Sequence, residues 1–83
     1  MTEQIKLPRV FVDFLNSDRQ GRVRLNTVGT AQDLNRLGVV LREGMEVLLY
    51  SYEVETEGFV TYSTEEKLWV AKFDSNAIRN LPG

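Results

Sequence analysis

Carboxylates, hydroxyls and lysine amines are the groups left for acid–base or nucleophilic chemistry in this sequence, because its 83 residues include no histidine and no cysteine. Hydrolases of the Ser-His-Asp and Cys-His types depend on one of those two residues near neutral pH. Metal sites built on thiolates need cysteine. The composition therefore excludes these three kinds of site.

Three glutamates offer the best remaining arrangement for a carboxylate pair or a hard-cation site. Glu53, Glu55 and Glu57 alternate, so their side chains can share one face of an extended segment. The segment lacks the Asp, Asn and Gly pattern of a calcium loop, and so small a fold has little room for a glycoside cleft. We interpret it as a solvated acidic loop and predict no catalytic residue and no metal site.

Nucleotide and cofactor sites also lack a motif. The glycines at positions 21, 29, 38, 44 and 58 are isolated, and no Gly-Lys-Ser/Thr sequence or phosphate-cradling loop is present. Each glycine has a sufficient use in a turn or a helix cap. We predict no cofactor.

A first candidate binding surface is cationic. The alternation assigns Val10, Val12, Phe14, Val23 and Leu25 to the core. Arg9, Phe11, Arg22 and Arg24 then project from the opposite face of a first hairpin. Arginines around an aromatic ring suit single-stranded nucleic acid, since phosphates pair with Arg and a base stacks on the ring. The alternative is packing of Arg stems over the ring with an ion pair to Asp13.

A second candidate surface is aromatic and consists of Tyr50, Tyr52, Tyr62 and Trp69. On an exposed sheet face these side chains would form a peptide-binding groove, because rings supply contact area and hydroxyls supply direction. The alternative is core packing, which suits Trp69 and Tyr50 best. Tyr52 and Tyr62 lie near strand ends, where a hydroxyl reaches water.

The elements that position these residues follow from the hydrophobic pattern. Residues 9–14 and 22–25 alternate as half-buried strands around a polar loop at 16–21, which predicts a hairpin. The spacing of Thr30 and Asp33 matches a capping box for a helix of about two turns, which Gly38 ends.

The second half of the chain predicts three further strands. The most apolar segment, residues 45–52, reads as the central strand, and an acidic link at 53–58 leads to a hairpin of 59–62 with 68–73. Asp74 to Asn76 cap a final helical turn that reaches Leu81. The pattern predicts a mainly β fold with one short helix, arranged as a small five-stranded antiparallel barrel or a strongly bent sheet.

Several segments of the sequence resemble a family of small uncharacterised bacterial proteins. They are Gly21-Arg22-Val23-Arg24-Leu25-Asn26, Gly29-Thr30, Asp33-Leu34, Leu41-Arg42-Glu43-Gly44-Met45, Trp69-Val70-Ala71 and Ala77-Ile78-Arg79. The resemblance implies a bacterial source and brings no activity and no binding residues. The strand pattern is also similar to small five-stranded barrels of the Src-homology type, an analogy of fold that carries no function.

Length and composition set the remaining expectations. With 42% hydrophobic and 27% charged residues, the chain has ordinary globular usage, so we expect one domain over 1–83 with a flexible tail at 1–7. The absence of cysteine and of long apolar runs favours a cytoplasmic protein without membrane contact. It would be a monomer, or a homodimer if a sheet edge stays open.

The expected function is that of a small, non-catalytic protein-interaction or regulatory module whose partner is another protein. The alternative is a weak single-stranded nucleic-acid-binding module that uses the first hairpin. Against that alternative, the net charge of −2 gives no general attraction to nucleic acid. An independent enzyme ranks third among the interpretations, because the chain lacks the usual catalytic bases and has little room for a buried pocket.

Overall fold

Strands and one α-helix follow one another along residues 7–81, the part of the chain described by the structure, which is a computed structural model. The elements are β1 (Arg9–Phe11), β2 (Val23–Arg24), α1 (Val28–Leu37), β3 (Glu46–Tyr50), β4 (Val54–Ser63), β5 (Leu68–Phe73), a 3-10 turn (Ser75–Ala77) and β6 (Arg79–Asn80). The predicted tail at 1–7 lies outside the described residues except for Leu7.

The strands form a single sheet in the order β1-β3-β4-β5-β2, and β6 pairs with the start of β4. The sheet curls into a half-barrel of five to six strands, which confirms the predicted mainly β fold with one short helix. One pairing differs from the prediction. β1 runs parallel to β3, whereas the other pairings are antiparallel.

The prediction of a hairpin between the first two strands is wrong. β1 pairs with β3, and β2 pairs with β5. After β1 the chain makes a tight turn, in which the Asn16 amide donates to the Asp13 carbonyl at 2.8 Å. Ser17 then bridges Val23, so β2 meets the short segment just before it and not β1.

The acidic link predicted at 53–58 is also wrong, because β4 already begins at Val54. Glu55 and Glu57 lie on the outer face of β4, and Arg79 of β6 bonds to both, at 3.1 and 2.8 Å. Thr56 between them is fully buried. The charges that suggested a loop therefore lie on the outer face of a strand, where a cross-strand arginine balances them.

The core lies on the inner face of the sheet, as the alternation predicts. Its buried members are Val10, Val12, Val23, Leu25, Val47, Leu49, Val60 and Ala71. Phe14, Trp69 and Phe73 pack against them and stay partly accessible. The core-facing side of the first two strands was thus predicted correctly, whereas their pairing partners were not.

The helix α1 begins three residues earlier than the capping-box pattern predicts. Its N-cap is Thr27, whose hydroxyl accepts from the Thr30 amide at 3.0 Å. Gly38 ends the helix in the left-handed conformation, as predicted. Asp74 caps the final 3-10 turn, but this turn ends at Ala77 and does not reach Leu81 as predicted, because Arg79 and Asn80 pair with β4 as β6. Within residues 7–81, no helix combines the length and apolar character that a membrane crossing requires.

Candidate functional site

Two helix side chains complete the hydrogen bonding of β1 at its free edge. The Thr30 hydroxyl donates to the Phe11 carbonyl at 2.6 Å, and the Asp33 carboxylate accepts from the Phe11 amide at 2.9 Å. Residues three apart lie on one face of a helix, so the two side chains reach the same peptide unit. The helix thus takes the place of a neighbouring strand at Phe11, and this edge position is not open for pairing with another chain.

Asp33 connects the helix to the sheet through further hydrogen bonds. The residue is 8% exposed, and its carboxylate accepts from the Tyr50 hydroxyl at 2.6 Å and from Arg36 Nη2 at 3.1 Å. Burial opposes its ionisation, but the bonds from Tyr50, Arg36 and Phe11 outweigh burial and hold the pKa of Asp33 below its ordinary value. The side chain is therefore a charged acceptor that joins α1, β1 and β3.

Next to Asp33, three rings form a continuous series, which we call the aromatic row: Tyr50, Phe11 and Tyr52. Phe11 meets Tyr50 and Tyr52 edge to face, with ring centroids 5.6 and 5.4 Å apart. The Arg9 guanidinium lies 4.2 Å from the centre of the Tyr50 ring, in a cation–π contact. Tyr52, at the end of the row, is 85% exposed.

Gly29 brings the helix backbone directly against this row. A Cβ at that position would lie 2.6 Å from the Phe11 ring, closer than carbon atoms approach. The ring is therefore wedged between the helix and the two tyrosines. A glycine that serves as a contact surface was not recognised from the sequence, where its use in a turn or cap was judged sufficient.

Beside the row, a groove of about 480 Å³ runs between the start of β1 and the end of α1. We call it the arginine groove; it is lined by Leu7, Pro8, Arg9, Arg36, Leu37 and Val39. Arg9 belongs to both features, since it lines the groove and stacks on Tyr50. The aromatic row and the arginine groove thus form one surface.

The structure divides the predicted cationic set. Arg9 and Phe11 lie in the surface just described, whereas Arg22 and Arg24 lie at β2, across the sheet. Arg22 Nε donates to Asp18 at 2.8 Å. Arg24 donates to both carboxylate oxygens of Glu66, at 2.7 and 2.8 Å.

Asp13, the acid considered as an ion-pair partner for the cationic set, instead accepts from the Leu15 amide at 2.9 Å. The set comes apart because β1 and β2 are not neighbours in the sheet.

The predicted aromatic set is divided as well. Tyr62 and Trp69 are cross-strand partners with ring centroids 5.1 Å apart. They lie on the sheet face of Val60 and Ala71, opposite to the face of Tyr50. Trp69 packs against the core, and Tyr62 is 42% exposed. The two halves of the set therefore belong to two separate surfaces.

Thr30 and Asp33, which hold β1 and Tyr50 next to the surface, were not predicted as site residues. Neither was Arg36, nor were the aliphatic residues that line the groove, which are Leu7, Pro8, Leu37 and Val39. The spacing of Thr30 and Asp33 was noticed but interpreted as a helix cap, since a capping box and a pair of side chains facing a strand edge share the same interval. The burial of both side chains in the structure distinguishes the two interpretations.

The hydrogen bond between Tyr50 and Asp33 should limit stability at both ends of the pH scale. The lowered pKa of Asp33 stabilises the fold above the unfolded value of about 3.9, and this contribution is lost as pH falls through the folded pKa. The bond to Asp33, with burial as second cause, raises the pKa of Tyr50 above about 10. That contribution is present below the unfolded value and is lost as pH rises through the folded one.

We therefore expect the thermal midpoint to fall below pH of about 4 and above pH of about 10. Asp18, Glu43, Glu57 and Glu66 also have lowered pKa values and add to the acid loss. Thermal melts of wild type and Asp33→Asn isolate the share of Asp33, which should make the wild-type acid slope steeper. Equal acid slopes in the two proteins would contradict the bond network.

The surface can bind through ring contacts, guanidinium hydrogen bonds and apolar burial. Among residues 7–81, no three acidic side chains converge as metal ligands would. Comparison of the chain with family models, with curated proteins and with solved structures found no match. What the surface does has therefore to be inferred from its own residues.

Proposed function

We propose that this domain is a non-catalytic protein-interaction module whose partner contacts the aromatic row and the arginine groove. The observation that carries the proposal is Tyr52, a large ring that is 85% exposed and yet held edge to face against Phe11. Exposed tyrosines with few accessible conformations are typical of interaction hot spots, because little side-chain entropy is lost on binding.

The fixed positions of the rings in the aromatic row support the proposal. Phe11 is fixed from one side by the helix backbone at Gly29 and from the other by Tyr50. Tyr50 is fixed in turn by its hydroxyl bond to Asp33. Each ring of the row thus has a defined position before any partner arrives, which is the condition for binding without a large ordering cost.

The state of Asp33 supports a non-catalytic role. Its lowered pKa and three accepted hydrogen bonds make it a poor proton acceptor at neutral pH. It acts as a structural acceptor that positions Tyr50 and the helix. A cytoplasmic location fits a chain that contains no cysteine.

A protein partner fits the surface better than single-stranded nucleic acid does. Of the four residues proposed for nucleic acid, Arg22 and Arg24 are each neutralised by a carboxylate and lie away from Phe11. The arginines left at the surface are Arg9 and Arg36, and the protein as a whole is negatively charged. Two cations give weak attraction to a polyphosphate chain.

Capture of partners from the source cell tests the proposal. We expect Tyr52→Ala to retain about tenfold less of the captured proteins than wild type, because a hot-spot aromatic contributes about 2 kcal/mol. Tyr62→Ala is the matched control, since it removes an exposed tyrosine from the other surface. Mass spectrometry of the bound fractions measures both effects.

The proposal fails if Tyr52→Ala captures the same proteins in the same amounts as wild type. It also fails if the proteins are lost only with Tyr62→Ala. Circular dichroism should first show that both variants keep the wild-type fold, which we expect because both side chains are exposed.

A further inference from the structure

The lining of the arginine groove combines two kinds of side chain. Leu7, Pro8, Leu37 and Val39 are aliphatic, and both charged members are arginines. Among residues 7–81, no carboxylate lines the groove, although the protein carries twelve acidic residues against ten basic ones. A cationic, apolar groove on an acidic protein complements a ligand that is both anionic and apolar.

The arginines keep most of their hydrogen-bonding capacity for such a ligand. The Arg36 side chain is 65% exposed, and its bond to Asp33 uses one of its five N–H donors. The Arg9 side chain is 48% exposed, and a carboxylate oxygen of Glu55 lies 3.9 Å from its Nη2 atom. Both guanidinium groups are nevertheless held in place, one by Asp33 and the other by the Tyr50 ring.

We propose that the arginine groove binds an acidic peptide segment of the partner. Carboxylates of the segment pair with Arg9 and Arg36, and apolar side chains next to them pack between the aliphatic walls. Arginine forms paired hydrogen bonds to carboxylates, which supplies specificity as well as affinity. This inference rests on the interaction function proposed above and names the chemistry of its partner.

The aliphatic walls favour a peptide over a nucleic acid. A base stacks on an aromatic ring or a guanidinium plane, whereas the walls of the groove at Leu37 and Pro8 offer methyl and methylene groups. Successive phosphates would also approach Glu55 and Asp33, which lie beside the two arginines. A peptide can place one or two carboxylates opposite the arginines and apolar residues elsewhere.

Selection from a random peptide library tests the inference. The library displays peptides of about ten residues on phage, and such peptides span about 30 Å when extended. Binders are selected on the immobilised domain. We expect Asp or Glu next to Leu, Ile, Val or Phe to be enriched over selection on bare support. A selected peptide, labelled with fluorescein, then gives affinities by fluorescence anisotropy.

Substitutions in the groove should weaken binding of the peptide and leave the fold intact. We expect Arg9→Gln and Arg36→Gln each to weaken binding about tenfold, as expected for loss of a charge-assisted contact. The affinity should fall as salt rises. Arg19→Gln is the matched control, because that arginine is exposed and pairs with Glu65 away from the groove. Replacing the acidic residues of the peptide with Gln or Asn should lower its affinity for the domain as much as the groove substitutions do.

Three outcomes would overturn the inference. In the first, the library yields no enriched sequence, or only sequences without acidic residues. In the second, the groove variants bind a selected peptide as tightly as Arg19→Gln does. In the third, a thymidine oligonucleotide binds more tightly than any selected peptide. If partner capture still depends on Tyr52 while the peptides fail, the interaction function stands and the acidic ligand is wrong. If capture does not depend on Tyr52, the interaction function itself fails.

Discussion

Replacement of Asp33 by alanine should lower the free energy of unfolding by about 3 kcal/mol or more. The substitution leaves the Phe11 amide and the Tyr50 hydroxyl without their acceptor and releases Arg36. These groups belong to three different elements, so the change loosens α1 from both β1 and β3. In a domain of this size, such a loss is a large part of the total stability.

Two variants separate the charge of Asp33 from general effects on the helix. Asp33→Asn keeps an oxygen acceptor without the charge, so we expect about half of the alanine effect. Asn35→Ala changes an exposed position of the same helix and should stay within about 0.5 kcal/mol of wild type. Urea denaturation of the three variants and wild type measures the differences. An Asp33→Ala protein as stable as Asn35→Ala would show that α1 is not held to the sheet in this way.

Gly58→Ala should destabilise the domain by about 2–3 kcal/mol, through overpacking. Gly58 lies within β4, opposite Val47 of β3 and Phe73 of β5. A Cβ there would lie 2.6 Å from Leu49 Cδ1 and 2.9 Å from the Lys72 carbonyl oxygen. Leu49 can rotate only within a filled core, and the carbonyl belongs to the backbone of β5, so neither neighbour can move freely.

Gly29→Ala is the instructive comparison, because its Cβ would also come within 2.6 Å of another atom. In this case the neighbour is the Phe11 side chain, and alanine adds about 1 kcal/mol of helix propensity. We expect a smaller loss of stability than for Gly58→Ala, measured by urea denaturation. If Gly58→Ala were the milder of the two substitutions, the close approach of β3, β4 and β5 around Gly58 would be incorrect.

The parts of the fold that could be predicted from the sequence are those that depend on local periodicity. Of the five residues assigned to the core in the first two strands, Val10, Val12, Val23 and Leu25 are buried, and Phe14 packs against them but stays partly accessible. The helix end at Gly38 was predicted because the left-handed backbone conformation that ends a helix favours glycine. These signals lie within a few residues of the positions that they determine.

The parts that could not be predicted depend on which distant segments meet. Phe11 lies beside Tyr50, a residue 39 positions later, in a parallel pairing that leaves no mark in either segment. The separation of Arg9 from Arg22 follows from the same pairing, and so does the meeting of Arg9 with Tyr50. From the sequence, Arg9 and Phe11 were therefore assigned to one site and Tyr50 and Tyr52 to another, and Arg36 was assigned to neither.

Glutamates on β4 show a second reason for failure. Glu55 and Glu57 predicted a loop because charge in a strand is unfavourable without a partner. Their partner Arg79 follows more than twenty residues later, on a strand of two residues that has no hydrophobic alternation of its own. A strand stabilised by cross-strand ion pairs is recognised only when both sides are known.

The central claim is that one surface, formed by the aromatic row and the arginine groove, receives the partner. Titration of the ¹⁵N-labelled domain with an acidic library-selected peptide or the captured protein, followed by amide chemical shifts, tests it most directly. We expect amide shifts at Arg9, Phe11, Arg36 and Tyr52, with little change at Trp69. Shifts centred on Trp69, or no shifts at saturating partner, would contradict it.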